Sequence, residues 1–98
     1  MAHAILMDGF PLANGTMPPG RSQVRLRFNS RIDVSRSRLV LVLPDHSERV
    51  LAPQAGPTAD IMLADVTLAP GPYRLNWQVL AVDGHITRGS INFTVVAR

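Results

Sequence analysis

Between Pro70-Gly71-Pro72 and Asp83-Gly84-His85 lies the segment that most restricts how this chain can fold. Tyr73, Leu75, Trp77, Val79 and Ala81 alternate with Arg74, Asn76, Gln78 and Leu80. A period of two sends the first set to one face of an extended chain and the second to the other. The Pro-Gly-Pro in front is a turn, and the Gly behind marks a break. Eight Pro and seven Gly among 98 residues imply many such turns, which favours an all-β fold over a helix bundle.

The same punctuation recurs along the chain. "HAILMDGF" opens with alternating apolar positions and runs into "PLANGTMPPG", a turn-rich loop. Val24, Leu26 and Phe28 alternate with Arg25 and Arg27, the pattern of a strand with one solvated face. "SRLVLVLP" is more continuously apolar and reads as a strand covered on both faces. "DHSE" reads as a hairpin turn into "RVLAP", "ADIMLADVTL" as a strand, and Ile91, Phe93 and Val95 as the inward side of the last one. This predicts about seven strands and no amphipathic helix. The expected architecture is a seven-stranded antiparallel Greek-key barrel or sandwich, immunoglobulin-like or cupredoxin-like, with Trp77 anchoring the core. Residues 1–98 read as a single domain, long enough to bury one core.

Bulk chemistry removes several function classes. There is no cysteine, so neither a disulfide framework nor a thiolate metal site is available. The net charge of +3 comes with ten basic residues that are all Arg, scattered from Arg21 to Arg98. With a single Trp and a single Tyr they form no stacking platform for single-stranded nucleic acid. No apolar run reaches the ~20 residues of a membrane-spanning helix, and no signal peptide is visible. The chain is expected to be cytosolic, or secreted with its leader removed.

Three histidines are candidates for chemistry: His3, His46 and His85. His46, between Asp45 and Ser47, suits an exposed turn. Asp83 and His85 stand two residues apart, on one side of an extended chain, with Gly84 between them. The pair is either turn chemistry, with Asp83 accepting backbone N–H bonds, or half of a metal site. Imidazole with carboxylate suits Cu(II), Zn(II) or Ni(II), but two ligands do not fix a metal. His3 is a possible third ligand, because an apolar strand starts directly after it. No nucleophile elbow, phosphate loop or paired carboxylates can be read.

These segments resemble the CopC-type copper-resistance proteins of bacterial periplasms. The likeness covers nearly the whole chain: "HAILMDGFPLANGT", "VRLRFNSRID" and above all "LAPGPYRLNWQVLAVDGHITRGSINFTV". It implies a small Greek-key β-barrel that binds Cu(II) at one end through His3, Asp83 and His85. In that site the N-terminal His contributes both its imidazole and a free α-amine, giving the tetragonal N,O field that Cu(II) prefers. Met1 and Ala2 are then read as an expression remnant in place of a leader, the mature chain starting at His3. If they persist, Met1-Ala2-His3 could wrap Cu(II) or Ni(II) on its own. Two features depart from the family pattern. Met1, Met7, Met17 and Met62 are dispersed, with no Met-x-x-Met cluster for Cu(I). Ser30 stands about where relatives often carry a Glu.

The expected role is therefore a periplasmic Cu(II)-binding protein for copper sequestration, trafficking or resistance, without catalysis. Its partners would be the copper ion and a CopD-like membrane copper transporter or another periplasmic copper protein, with no nucleic acid and no membrane insertion of this chain. Two rivals are a metal-free immunoglobulin-like interaction module and a histidine-brace copper oxidase. Asp83 on the metal argues against the oxidase, since such enzymes keep a position open.

Overall fold

The computed structural model describes residues 4–97. The strands in chain order are β1 (Leu6–Phe10), β2 (Gly15–Met17), β3 (Gly20–Phe28), β4 (Ile32–Val42), β5 (Glu48–Leu51), β6 (Gln54–Ala55), β7 (Ile61–Leu68), β8 (Gly71–Ala81) and β9 (Ile86–Val95). They form two sheets, ordered β1-β3-β7-β6 and β2-β9-β8-β4-β5. The chain changes sheet at β1–β2, β2–β3, β3–β4, β5–β6 and β7–β8, and the result is the expected Greek-key fold as a sandwich of two sheets.

Two details correct the sequence reading. Nine strands are described where about seven are predicted; the extra two, β2 and β6, are three and two residues long, too short for any period to show. The sheet is also not wholly antiparallel, since β2 runs parallel to β9, pairing Gly15 with Phe93 and Met17 with Val95.

Alternation elsewhere translates directly into burial. Tyr73, Leu75, Trp77, Val79 and Ala81 from β8 are all buried, with Val24, Leu26 and Phe28 from β3 and Ile91, Phe93 and Val95 from β9. Each such large side chain is worth about 1.5–3 kcal/mol relative to exposure. Trp77 holds the centre, its ring meeting Phe28 edge-on at 5.3 Å and 68°. Tyr73 stacks on Phe93 at 5.4 Å, and its hydroxyl donates to the Ala69 carbonyl at 2.7 Å while accepting from the Ala69 N–H at 3.1 Å.

β4 departs from expectation. Leu39 and Leu41 are buried, whereas Val40 and Val42 on the other face are only half-covered. Its start carries a bulge between Asp33 and Arg38. There the buried Ser37 hydroxyl donates to the Asp33 carbonyl (2.7 Å) and accepts from the Leu80 N–H (3.2 Å), satisfying groups the broken ladder leaves open. At the other end, Leu43–Ser47 makes the expected turn, with His46 exposed at φ 70° and Asp45 capping the Ser47 N–H.

Candidate metal centre

The β8–β9 hairpin presents the Asp83–His85 pair. Its loop is Val82-Asp83-Gly84, closed by the Ala81 N–H donating to the His85 carbonyl at 2.8 Å. The Gly84 N–H donates to the Ala81 carbonyl at 2.9 Å, and Gly84 itself sits at φ 94°. This is the three-residue hairpin loop in which a turn is followed by one left-handed residue. A Cβ on Gly84 would meet nothing within 4 Å, so backbone conformation alone selects glycine there.

Within that loop Asp83 has two relations to His85. Its Oδ1 accepts the His85 backbone N–H at 3.1 Å, and its Oδ2 lies 3.1 Å from His85 Nδ1. The turn reading and the side-chain pairing read from sequence are thus both present, one on each carboxylate oxygen. The two side chains are 35% and 41% exposed, while His85 Nδ1 itself is buried.

Neighbouring elements fix where this tip sits. The Val82 N–H donates to the Arg31 carbonyl at 3.2 Å, tying the loop to the β3–β4 connection. The same connection grips the start of β1. The Ile5 N–H donates to Asn29 Oδ1 at 2.7 Å, and the Asn29 N–H donates back to the Ile5 carbonyl at 3.0 Å. Ala4 is fully buried. The β3–β4 connection therefore holds both the hairpin tip and the segment that leads out of His3. His3 itself lies outside the described residues. Among the described residues no group of three His, Cys, Asp or Glu comes together.

The donor chemistry of that pair fits a divalent copper or zinc ion. Two ligand atoms about 2.0–2.2 Å from one metal at right angles stand about 3 Å apart, and Asp83 Oδ2 and His85 Nδ1 are 3.1 Å apart. Ser30, in the same β3–β4 connection, has a buried hydroxyl oxygen with no partner among the described residues. Met17 and Met62 are core side chains, while Met7 is 53% exposed on β1. Sequence reasoning missed Asn29 and Arg31. A lone Asn before a strand looks like ordinary turn chemistry, and a backbone carbonyl leaves no mark in a sequence.

The fold matches that of known proteins. The family model described as the CopC domain matches residues 6–96. Copper resistance protein C of Xanthomonas campestris pv. juglandis is 31% identical over 103 residues, covering 96% of this chain and 80% of that protein. Protein YobA of Escherichia coli K12 is 30% identical over 99 residues, covering 96% and 79%. Among solved structures, CopC from Methylosinus trichosporium OB3b superposes with a TM-score of 0.90 at 26% identity, over 98% of this chain and 96% of that one. PcoC, a methionine-rich copper resistance protein from Escherichia coli, gives 0.77 at 25% identity, over 97% and 100%. With its two-sheet fold and a family match running from β1 past the end of β9, the chain belongs to the CopC domain family.

Proposed function

We propose that this protein is a periplasmic Cu(II)-binding protein that sequesters copper or hands it on, with His3, Asp83 and His85 as ligands and no catalysis of its own. The observation that carries the reading is the convergence of Asp83 Oδ2 and His85 Nδ1 at 3.1 Å on a hairpin tip tied to the same connection as the N-terminal strand. The copper-resistance names among the relatives point to the same metal.

Cu(II) favours a tetragonal set of nitrogen and oxygen donors, which His3, Asp83 and His85 would provide. The chain's contribution is positional. Gly84 lets the loop close, the His85 backbone N–H donating to Asp83 Oδ1 fixes the carboxylate, and Asn29 anchors Ile5, just after His3. Imidazoles and an α-amine bind metal only when deprotonated, so affinity should fall as pH drops. Delivery would be to a membrane copper transporter or another periplasmic copper protein.

Electron paramagnetic resonance of the Cu(II)-loaded protein tests this reading, using a chain that begins at His3. A single tetragonal signal with nitrogen couplings, altered in His85→Ala and Asp83→Ala, supports it. A signal indifferent to both substitutions would reduce the hairpin to a turn and put copper elsewhere on the chain, and no bound-copper signal at all would leave a metal-free interaction module.

A further inference from the structure

We propose that the outer face of the second sheet carries a phosphate-binding groove, separate from the copper site. Strand register places Arg38, Gln78 and Arg88 in one row across β4, β8 and β9, and Val40, Asn76 and Ser90 in the next. These six side chains line a shallow cavity of about 400 Å³.

The hydrogen bonds within the groove sort its atoms by role. Arg88 Nε donates to Gln78 Oε1 at 2.7 Å, which holds the guanidinium over the sheet with its outer N–H groups directed away from that bond. The Ser90 hydroxyl donates to Asn76 Oδ1 at 2.8 Å. Both amide oxygens are thereby occupied, which leaves the amide N–H groups of Gln78 and Asn76 and two guanidiniums as the donors on offer. No carboxylate lines the groove, and among the described residues no ion pair joins Arg38 or Arg88 to one.

Neighbouring strands lie about 4.8 Å apart, so the Arg38 and Arg88 backbones stand about 10 Å apart across Gln78. Two guanidiniums reaching inward from that separation leave room for one small anion between them. Two positive charges exceed what a singly charged carboxylate neutralises and match the charge of a phosphate, whose oxygens the four donor groups can serve. The contrast is the cavity of about 530 Å³ lined by Arg21, Gln23 and Arg49, which contains Asp65. There Gln23 and Gln54 already donate to the carboxylate, so that site carries its own anion.

His85 and Arg88 project to opposite faces of the β8–β9 hairpin by strand alternation, so the groove can fill with or without copper. The phosphate could belong to a soluble ester or to a lipid headgroup, and the test separates the two. Inorganic phosphate is titrated into isotope-labelled protein while the Gln78 and Asn76 side-chain amides and Arg88 Nε are followed by NMR. In parallel, cosedimentation with phosphatidylglycerol vesicles is compared with phosphatidylcholine vesicles. Saturable shifts that become at least about tenfold weaker in Arg38→Gln/Arg88→Gln, and persist in Arg21→Gln/Arg49→Gln, are expected for a soluble phosphate. Sedimentation with phosphatidylglycerol showing the same dependence on variant would assign the lipid source. No binding to either probe, or equal loss in both double variants, would overturn the proposal and leave a solvated sheet face. Because neither arm uses copper, failure here leaves the copper reading intact.

Discussion

Gly89 and Trp77 face each other across the β8–β9 ladder, and a Cβ on Gly89 would stand 2.3 Å from the indole Cζ2 and 2.6 Å from Cε2. The indole cannot swing aside, because it is buried and its far side meets Phe28. Gly89→Ala should therefore cost about 1–3 kcal/mol by overpacking. Urea unfolding checks it, and thermal unfolding should shift by about 4–8 °C for each kcal/mol. An unchanged midpoint would mean that the Trp77 cradle is looser than the contacts indicate.

The Tyr73 hydroxyl serves both backbone groups of Ala69. Tyr73→Phe keeps the stack on Phe93 but leaves that N–H and carbonyl to find water at the turn before β8. The expected loss is about 1–2 kcal/mol in urea denaturation, with the native fold retained. A loss under about 0.3 kcal/mol would show that water replaces the hydroxyl fully.

Asn29 is the clamp on the N-terminal segment, bonded both ways to Ile5. Asn29→Ala should increase amide exchange at Ile5 and weaken Cu(II) binding by about tenfold, the lower end of what outer-shell positioning residues contribute. Asn29→Asp, which keeps the acceptor oxygen, should restore most of it. Copper affinity unchanged in Asn29→Ala would mean that His3 is placed by something other than this clamp.

Acid sensitivity follows from two exposed carboxylates. The side-chain hydroxyl of Ser47, then its N–H, holds Asp45 below its ordinary value. The hydroxyl of Thr58 does the same for Asp60. A carboxylate depressed in the folded state contributes stability above its unfolded pKa and loses it as pH falls through the lower folded value. In Ser47→Ala the apo protein should therefore lose part of the stability that the wild type holds at neutral pH. The two proteins should converge once the pH has fallen below the lowered folded value, where the carboxylate is protonated in both states. Parallel stability curves down to the lowest pH would remove Asp45 from the account.

Much of this fold is legible in the sequence because its long strands bury one face. Over residues 24–28 of β3, 73–81 of β8 and 91–95 of β9 every second residue is apolar, and those residues form the core. The reading weakens where other forces decide. β1 looked alternating, but a shift in register between Leu6 and Asp8 leaves Met7 exposed, and the Arg27–Asp8 pair at 2.7 Å marks it as an edge. The apolar run in β4 suggested cover on both faces, yet β-branched Val40 and Val42 sit half-exposed as sheet-formers rather than core. The pairing of β2 with β9 is set by long-range register that three residues cannot encode. At the candidate site, Asp83 and His85 stand out in the sequence by spacing and by resemblance. Asn29 does not, because its role depends on a backbone 24 residues away.

The most direct test of the central claim is a competition titration with Cu(II) on a chain beginning at His3, beside its His85→Ala and Asp83→Ala variants. The account expects one copper per chain. It expects a loss of at least about 100-fold in affinity for His85→Ala, since removing a ligand should exceed the ~10–100-fold cost of disturbing an outer-shell partner. Copper should also raise the unfolding temperature of the parent and much less that of the variants. Equal affinity in parent and His85→Ala would contradict the account: the hairpin would then be a turn that closes a strand pair, and copper would bind elsewhere or through the terminus alone.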